Sequence, residues 1–356
     1  MPSSTSSFKP SDAEPTYQRE LPAIALGRAW IVAALLFLVA MIFWEAKWRA
    51  FGSAPSYANS DGLWAIQRRR IDNGEGHKTV IVGSSRVLFD LQLPTCERLL
   101  GDRPIQLALE GTGPVPFIED LADNPKFTGR LLVGVAPVLF FSGFDRRLDA
   151  LKYHRTETLA QRSGQWLSMH LLEPFFAFYE DDFALMTVLN RQNWPARAGV
   201  LNLPEVRKLS VTEADRNTRI WKKVEVDPHY QQLVRSIWTD LLTKRPKPPP
   251  ERAKKVRDEQ MERAVAAVAK LRARGVDVVF VRPPSTGIWL EAEDRAFPRA
   301  ETWDLLLQRS GARGIHFQDY PELQGLTLPE WSHLSAADAE KFTVAFCGIL
   351  RRDFGW

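Results

Sequence analysis

The chain has 356 residues, enough for one large α/β domain with an extension or for two small domains. Its 45% hydrophobic and 25% charged residues are ordinary for a globular protein, and a formal net charge of +4 is too small to indicate a nucleic-acid binder. Two cysteines without a CxxC motif, and no Walker loop or GxGxxG fingerprint, indicate neither a metal site nor a nucleotide cofactor.

The N-terminal segment predicts a tail followed by a membrane anchor. Residues 1–20 are rich in Ser, Pro and charge, which is typical of a disordered tail. The run 29–44 has no charged residue and, extended backwards past Arg28, predicts one transmembrane helix within residues 21–48. A cleaved signal peptide and a buried core helix are the alternatives. Basic residues flank the run on both sides in similar number, so the positive-inside rule does not orient the helix.

Five short apolar runs in residues 49–356 predict the strands of an α/β domain. Such runs, β-rich and without strict alternation, are typical of parallel strands buried on both faces. The predicted strands are 79–82, 105–109, 131–135, 276–281 and 315–318. A helical stripe at 251–274 leads through Gly275 directly into the fourth strand, as in a β-α-β layer. Ser335 and Asp338 predict a capping box at the start of the last helix.

A helical insert is predicted between residue 151 and about residue 250. This segment is rich in aromatic residues and contains no clear strand. We expect its helices to pack on the main domain rather than on a membrane or partner. The PKPPP run at 246–250 cannot lie inside a helix and ends the insert. The basic run at 244–257 is interpreted as a solvated face rather than a site for an anionic lipid or polymer.

The first chemical signal is the segment VIVGSSRV at 80–87. An apolar strand runs into Gly83, Ser84 and Ser85, and a helix is expected to follow. The strand ends of a parallel sheet are where such folds bind ligands, and a backbone N–H at a helix N-terminus could stabilise an oxyanion. The alternative is an ordinary strand-to-helix turn with a serine cap, which is very common.

The second signal is His333, which precedes the last helix. Glu330 lies three residues upstream and could accept one imidazole N–H, which would leave the other nitrogen free as a general base. Asp319, after the fifth predicted strand, is the rival carboxylate. A serine hydroxyl is a weak nucleophile without a base, so the Ser85 and His333 signals reinforce each other.

Together these features resemble the SGNH (GDSL-like) hydrolase superfamily over roughly residues 76–145 and 275–356. In that family the first block is Gly-Asp-Ser, which matches the GSS at 83–85, so the resemblance implies that Ser85 is the nucleophile and Ser84 replaces the Asp. The last block, Asp-x-x-His, matches the EWSH at 330–333, with Glu330 in place of Asp. The fold that it implies is a three-layer α/β/α domain with a parallel sheet.

The two middle blocks of the family supply oxyanion donors. The glycine of the second block corresponds to Gly111 or Gly113, with Gly111 preferred because it follows the strand directly. The Asn of the third block is absent, because VGVAPVLFF follows the third strand. Arg86 and Arg282 are candidate substitutes that could contact the substrate, although each could also be an ordinary salt-bridged residue.

The resemblance is strongest to membrane-anchored members that move acyl groups on cell-envelope polysaccharides beside a multi-span membrane acyltransferase. It implies a single-pass protein of the inner (plasma) membrane with an extracytoplasmic domain, acting as an esterase or O-acyltransferase. It implies no metal and no organic cofactor. A catalytically weak or inactive scaffold subunit is the alternative. Cys96 and Cys347 could form a disulfide in an exported domain, or they could be two separate buried thiols.

Overall fold

The first helix, α1, spans Leu26–Ala50 and covers residues 26–48 of the anchor predicted at 21–48; residues 21–25 lie outside the described residues. The computed structural model describes residues 26–192, 195 and 205–356, so the predicted tail at 1–20 lies outside the described residues. The helix has 25 residues, and its most apolar 18-residue window has a mean hydropathy of 2.3. None of that window is buried. Its length and composition are sufficient to cross a bilayer.

The remaining elements alternate between helices and strands in the first and last thirds of the chain. The strands are β1 Thr79–Val82, β2 Ile105–Gln106, β3 Arg130–Gly134, β4 Ser210–Thr212, β5 Thr218–Ile220, β6 Asp277–Arg282 and β7 Arg313–His316. The further α-helices are α2 Asp61–Arg70, α3 Ser85–Asp90, α4 Leu93–Leu100, α5 Val115–Asp123, α6 Pro137–Phe140, α7 Asp149–Thr156, α8 Leu159–Leu167, α9 Leu185–Asn190, α10 Lys222–Val226, α11 Pro228–Thr243, α12 Pro250–Ala273, α13 Gly287–Ala296, α14 Trp303–Ser310 and α15 Ala336–Phe354.

Five of these strands form one parallel sheet in the order β2-β1-β3-β6-β7. The strands at its centre are buried on both faces, which explains their continuous apolar sequences. Because all five strands run in the same direction, their carboxyl ends lie along one edge. The strand order reverses direction between β1 and β3, and such switch points are where open α/β sheets bind ligands.

Helices cover both faces of the sheet. On one face, Val80, Val133 and Phe280 share a core with side chains from α2, α5, α12 and α14. The alternate strand residues, such as Ile81 and Leu132, are equally buried on the other face. The last helix, α15, packs against α3 and α4. The result is a mixed α/β domain with a parallel sheet of five strands.

The insert differs from its prediction in one respect. It is mostly helical, but β4 and β5 form an antiparallel hairpin within the segment expected to contain no strand. Its turn contains Arg216 in the left-handed region (φ 69°), and the Arg216 side chain is fully buried and donates to the carbonyl oxygen of Ala108 (2.6 Å). The hairpin is held by this tertiary contact, which a search for strand-forming residues does not detect. The helix α12 begins at Pro250, as the proline run predicted.

Candidate functional site

Ser85 is the first residue of α3, directly after a sharp turn at the end of β1. The turn requires Gly83, which has φ 154°. A Cβ atom on Gly83 would lie 2.4 Å from the Val87 side chain and 3.0 Å from the Cα of Gly134. No larger residue fits so close to the next strand. Ser85 is half-buried at this edge of the sheet, with its hydroxyl directed toward the loop that precedes α15.

The Ser85 hydroxyl is hydrogen-bonded to His333. The distance from Ser85 Oγ to His333 Nε2 is 2.8 Å, and His333 Nδ1 lies 2.8 Å from Glu330 Oε1. A carboxylate can only accept, so Nδ1 carries the proton and Nε2 is left to accept the serine proton. His333 and Glu330 are almost completely buried. The structure therefore brings together the three residues that the sequence singled out, in the geometry of a nucleophile, a base and an orienting carboxylate.

The Glu330 carboxylate is fully satisfied by hydrogen bonds. Oε1 also accepts the backbone N–H of His333 (2.6 Å), and Oε2 accepts the indole N–H of Trp238 from α11. Burial alone would raise the pKa of Glu330, but the electrostatic interaction with His333 and these hydrogen bonds lower it below its usual value. The carboxylate is therefore ionised and able to stabilise an imidazolium.

The loop of His333 is held at several points. Trp331 has φ 73°, and its carbonyl oxygen accepts the N–H of Thr286 (2.9 Å). The ring of Phe89 lies against the imidazole, with centroids 4.4 Å apart. Asp90 Oδ1 accepts the N–H of Leu334 (3.0 Å), which ties the end of α3 to this loop. Burial raises the pKa of Asp90 well above its usual range.

Sequence reasoning missed Trp238, Phe89 and Asp90. Trp238 lies in the insert, and no spacing relates it to Glu330. Phe89 and Asp90 follow Ser85 by four and five residues, so the helical period could have indicated that they lie near the serine.

The rival carboxylate, Asp319, does not contact His333. It makes two hydrogen bonds to Arg299, at 2.7 and 2.8 Å. This ion pair lowers the pKa of Asp319, as expected for a carboxylate bonded to a guanidinium. The structure thus selects Glu330 between the two alternatives.

The two glycines proposed as oxyanion donors differ. The Gly113 N–H donates to the carbonyl oxygen of Phe144 (2.8 Å), so in this conformation it is already occupied, and its role as an oxyanion donor stays a prediction. By contrast, neither Ser85 nor Gly111 has its backbone N–H hydrogen-bonded to another described residue. The N–H of Leu109 donates to the carbonyl oxygen of Gly83 (3.0 Å), which places the Gly111 loop beside the serine turn.

The two arginines proposed to contact substrate form a buried ion cluster with Glu293 of α13. Arg86 Nη1 and Arg282 Nη2 lie 3.0 and 2.7 Å from Glu293 Oε2, and all three side chains are nearly inaccessible to solvent. Arg86 also donates to Ser332 Oγ (3.2 Å), next to the histidine. Burial lowers the pKa of Arg282 to about 10. With their guanidinium groups bonded in this way, both arginines are engaged within the protein, and Arg86 links the cluster to the loop of His333 through Ser332.

Comparison with known proteins gives no family assignment. No family model matches the chain, and no curated protein matches it. Within the part of the chain that the structure describes, no group of three His, Cys, Asp or Glu residues is arranged to hold a metal ion.

Proposed function

We propose that this protein is a membrane-anchored serine esterase or O-acyltransferase of the SGNH type. The observation that carries the proposal is the hydrogen-bonded chain Ser85–His333–Glu330 at the carboxyl edge of a parallel sheet. A buried carboxylate, a histidine with one free nitrogen and a half-buried serine hydroxyl are the parts that nucleophilic acyl transfer requires. The parallel sheet in the order β2-β1-β3-β6-β7, with helices on both faces, supports the three-layer fold that the resemblance implies.

The proposed reaction has two steps. The Ser85 oxygen attacks the carbonyl carbon of an ester while His333 Nε2 takes the serine proton, and Glu330 stabilises the resulting imidazolium. The tetrahedral intermediate then expels the alkoxide, which receives the proton from His333, and leaves the acyl group on Ser85. In the second step His333 deprotonates water or a sugar hydroxyl, which attacks the acyl-serine and restores the free enzyme.

The developing oxyanion is assigned to the backbone N–H groups of Ser85 and Gly111. Removing a single donor of this kind costs about 10²–10³ in rate in other enzymes. The segment after β3 contains Ala136 and Pro137 and supplies no side-chain amide. We therefore expect slower hydrolysis than in family members that have all four sequence blocks, and a rate that depends on the correct acceptor.

The substrate class that we propose is the ester-linked acyl group of a cell-envelope glycan. The apolar helix α1 would hold the domain at the inner membrane, on its extracytoplasmic side, where such polymers are modified. The resemblance to anchored family members supports this placement, and a multi-span membrane acyltransferase is the partner that it implies.

The test uses the full-length protein in detergent and two separate assays. One is active-site labelling with a fluorophosphonate, and the other is hydrolysis of p-nitrophenyl acetate by unlabelled protein. Ser85→Ala and His333→Ala should abolish both signals. Ser163→Ala and His229→Ala, which replace exposed residues of the same types, should leave them unchanged. Labelling that persists in Ser85→Ala would refute the assignment of the nucleophile.

A second candidate function is a scaffold subunit that kept the fold and lost the chemistry. The missing amide donor after β3 and the hydrogen bond that occupies the Gly113 N–H favour it. In that case the folded wild-type protein would react with neither the probe nor the ester. Binding of envelope polysaccharide that is insensitive to Ser85→Ala would then identify the scaffold.

A further inference from the structure

The two cysteines of the chain lie in direct contact, although 251 positions separate them in the sequence. Cys96 belongs to α4 and Cys347 to α15, and their sulfur atoms are 3.7 Å apart. Both are almost completely buried in the interface between these helices. Among the described residues the structure contains no other cysteine, so each thiol has one potential partner.

The register of the two helices is fixed by hydrogen bonds next to the cysteines. Thr343, one turn before Cys347, accepts the N–H of Gln92 (3.0 Å), the residue that precedes α4. Its hydroxyl lies within hydrogen-bond distance of the carbonyl oxygens of Ala339 (2.7 Å) and Asp90 (3.1 Å). Thr95, the neighbour of Cys96, donates to the carboxylate of Glu340. These contacts hold α4 and α15 in place, so the two thiols face each other because of the packing and not through a chance rotamer.

We propose that Cys96 and Cys347 form a disulfide in the mature protein. A bond length of about 2.05 Å requires the sulfur atoms to approach by about 1.6 Å, which is within reach of small side-chain rotations across packed helices. Two thiols lose two electrons and two protons to an external protein disulfide, which is reduced to a dithiol as the Sγ–Sγ bond forms. Such oxidants act outside the cytoplasm, so the inference rests on the proposed placement of the domain.

The bond would join the two halves of the proposed active site. The helix α4 follows the serine helix α3 after two residues, and α15 follows His333 after two residues. A covalent link between α4 and α15 therefore limits how far the serine and histidine segments can separate. Because both sulfurs are buried, exchange with the oxidant must take place while the chain folds, before α15 packs. Once formed, the bond is shielded from external thiols.

The test is thiol trapping of the full-length protein in cells. Acid precipitation stops exchange and unfolds the chain, and a maleimide-polyethylene glycol reagent then reports each free thiol as a shift on a gel. We expect the monomeric protein to carry no adduct without reduction and two adducts after reduction. Two adducts without prior reduction would overturn the inference. Cys347→Ser should give one adduct without reduction, which confirms that the reagent reaches Cys96.

A second measurement does not depend on how well the variants fold. The intact mass of the purified wild-type protein should increase by about 2 Da on reduction under denaturing conditions, as expected for one Sγ–Sγ bond. The reduced protein should melt at a temperature on the order of 10 °C below that of the oxidised protein, because the bond closes a long loop. A disulfide without probe labelling at Ser85 would support this inference and refute the proposed chemistry, and free thiols with labelling would do the reverse.

Discussion

Replacing Glu330 with Gln tests the proposed mechanism most directly. The carboxylate accepts N–H donors on both oxygens, from His333 on one side and from Trp238 on the other. An amide has only one acceptor oxygen, so its NH₂ group must face one of these donors. If it faces the imidazole, His333 is forced into the tautomer with the proton on Nε2, which cannot accept the Ser85 proton.

The magnitude follows from the burial of this pair. Removing one partner of a buried, hydrogen-bonded charge pair costs about 3–5 kcal/mol. If this cost is expressed in the transition state, in which the imidazolium forms, it corresponds to a rate loss of about 10²–10⁴. Trp238→Phe keeps the charge and removes one hydrogen bond to it, which is worth about 1.5–3 kcal/mol, so we expect a loss of about 10–100-fold.

The assay is the rate of fluorophosphonate labelling together with ester hydrolysis, measured on folded full-length protein in detergent. Asp319→Asn is the matched control, because it neutralises a carboxylate near the same edge of the sheet that has no contact with His333. It should react at the wild-type rate. A Glu330→Gln variant as fast as wild type would show that the carboxylate does not orient the base, and the mechanism would have to be abandoned.

Three further changes test the support of the site. Gly83→Ala places a methyl group 2.4 Å from Val87, so we expect it to lower stability by more than about 2 kcal/mol in chemical denaturation and to slow labelling. Glu293→Gln leaves two buried arginines without their counter-charge and should cost about 3–5 kcal/mol; a neutral effect on the melting temperature would contradict the ion cluster. The pKa of Asp90 is raised, so its proton stabilises the fold below the usual carboxyl pKa and this contribution is lost as the pH rises. The free energy of unfolding of Asp90→Asn should therefore increase relative to that of wild type from pH 4.5 to pH 8. If the difference between variant and wild type is the same at both pH values, the effect of burial on Asp90 is refuted.

The sheet was predictable from the sequence because parallel strands buried on both faces are continuously apolar. The second strand shows the limit of this rule. Residues 105–109 were predicted, but regular pairing covers only Ile105–Gln106. Leu107 and Leu109 continue with single hydrogen bonds to the β1 segment, because the chain there already bends toward the glycine loop. An apolar run indicates that its residues are buried, but it does not indicate how far regular strand pairing extends.

The candidate site was predictable only where residues that interact with each other are also close together in the sequence. The three-residue spacing of Glu330 and His333 places both on one tight loop, so the pair could be identified directly. The hydrogen bond of the Gly113 N–H could not be predicted, because its acceptor is the carbonyl oxygen of Phe144, far along the chain. The hairpin of β4 and β5 was missed for a similar reason, since the buried Arg216 of its turn bonds to Ala108, which is distant in sequence.

The hydrogen bond from Trp238 to Glu330 links the insert to the proposed catalytic residues. Any ligand that binds the insert and moves α11 changes the donors around this carboxylate, and with them the basicity of His333. Coupling between two sites is reciprocal in free energy. If Ser85 is acylated as proposed, a ligand that shifts the acylation equilibrium through Glu330 and His333 will itself bind the acylated and the free forms with affinities that differ by the same factor. A docked partner would then distinguish the two forms of the proposed enzyme.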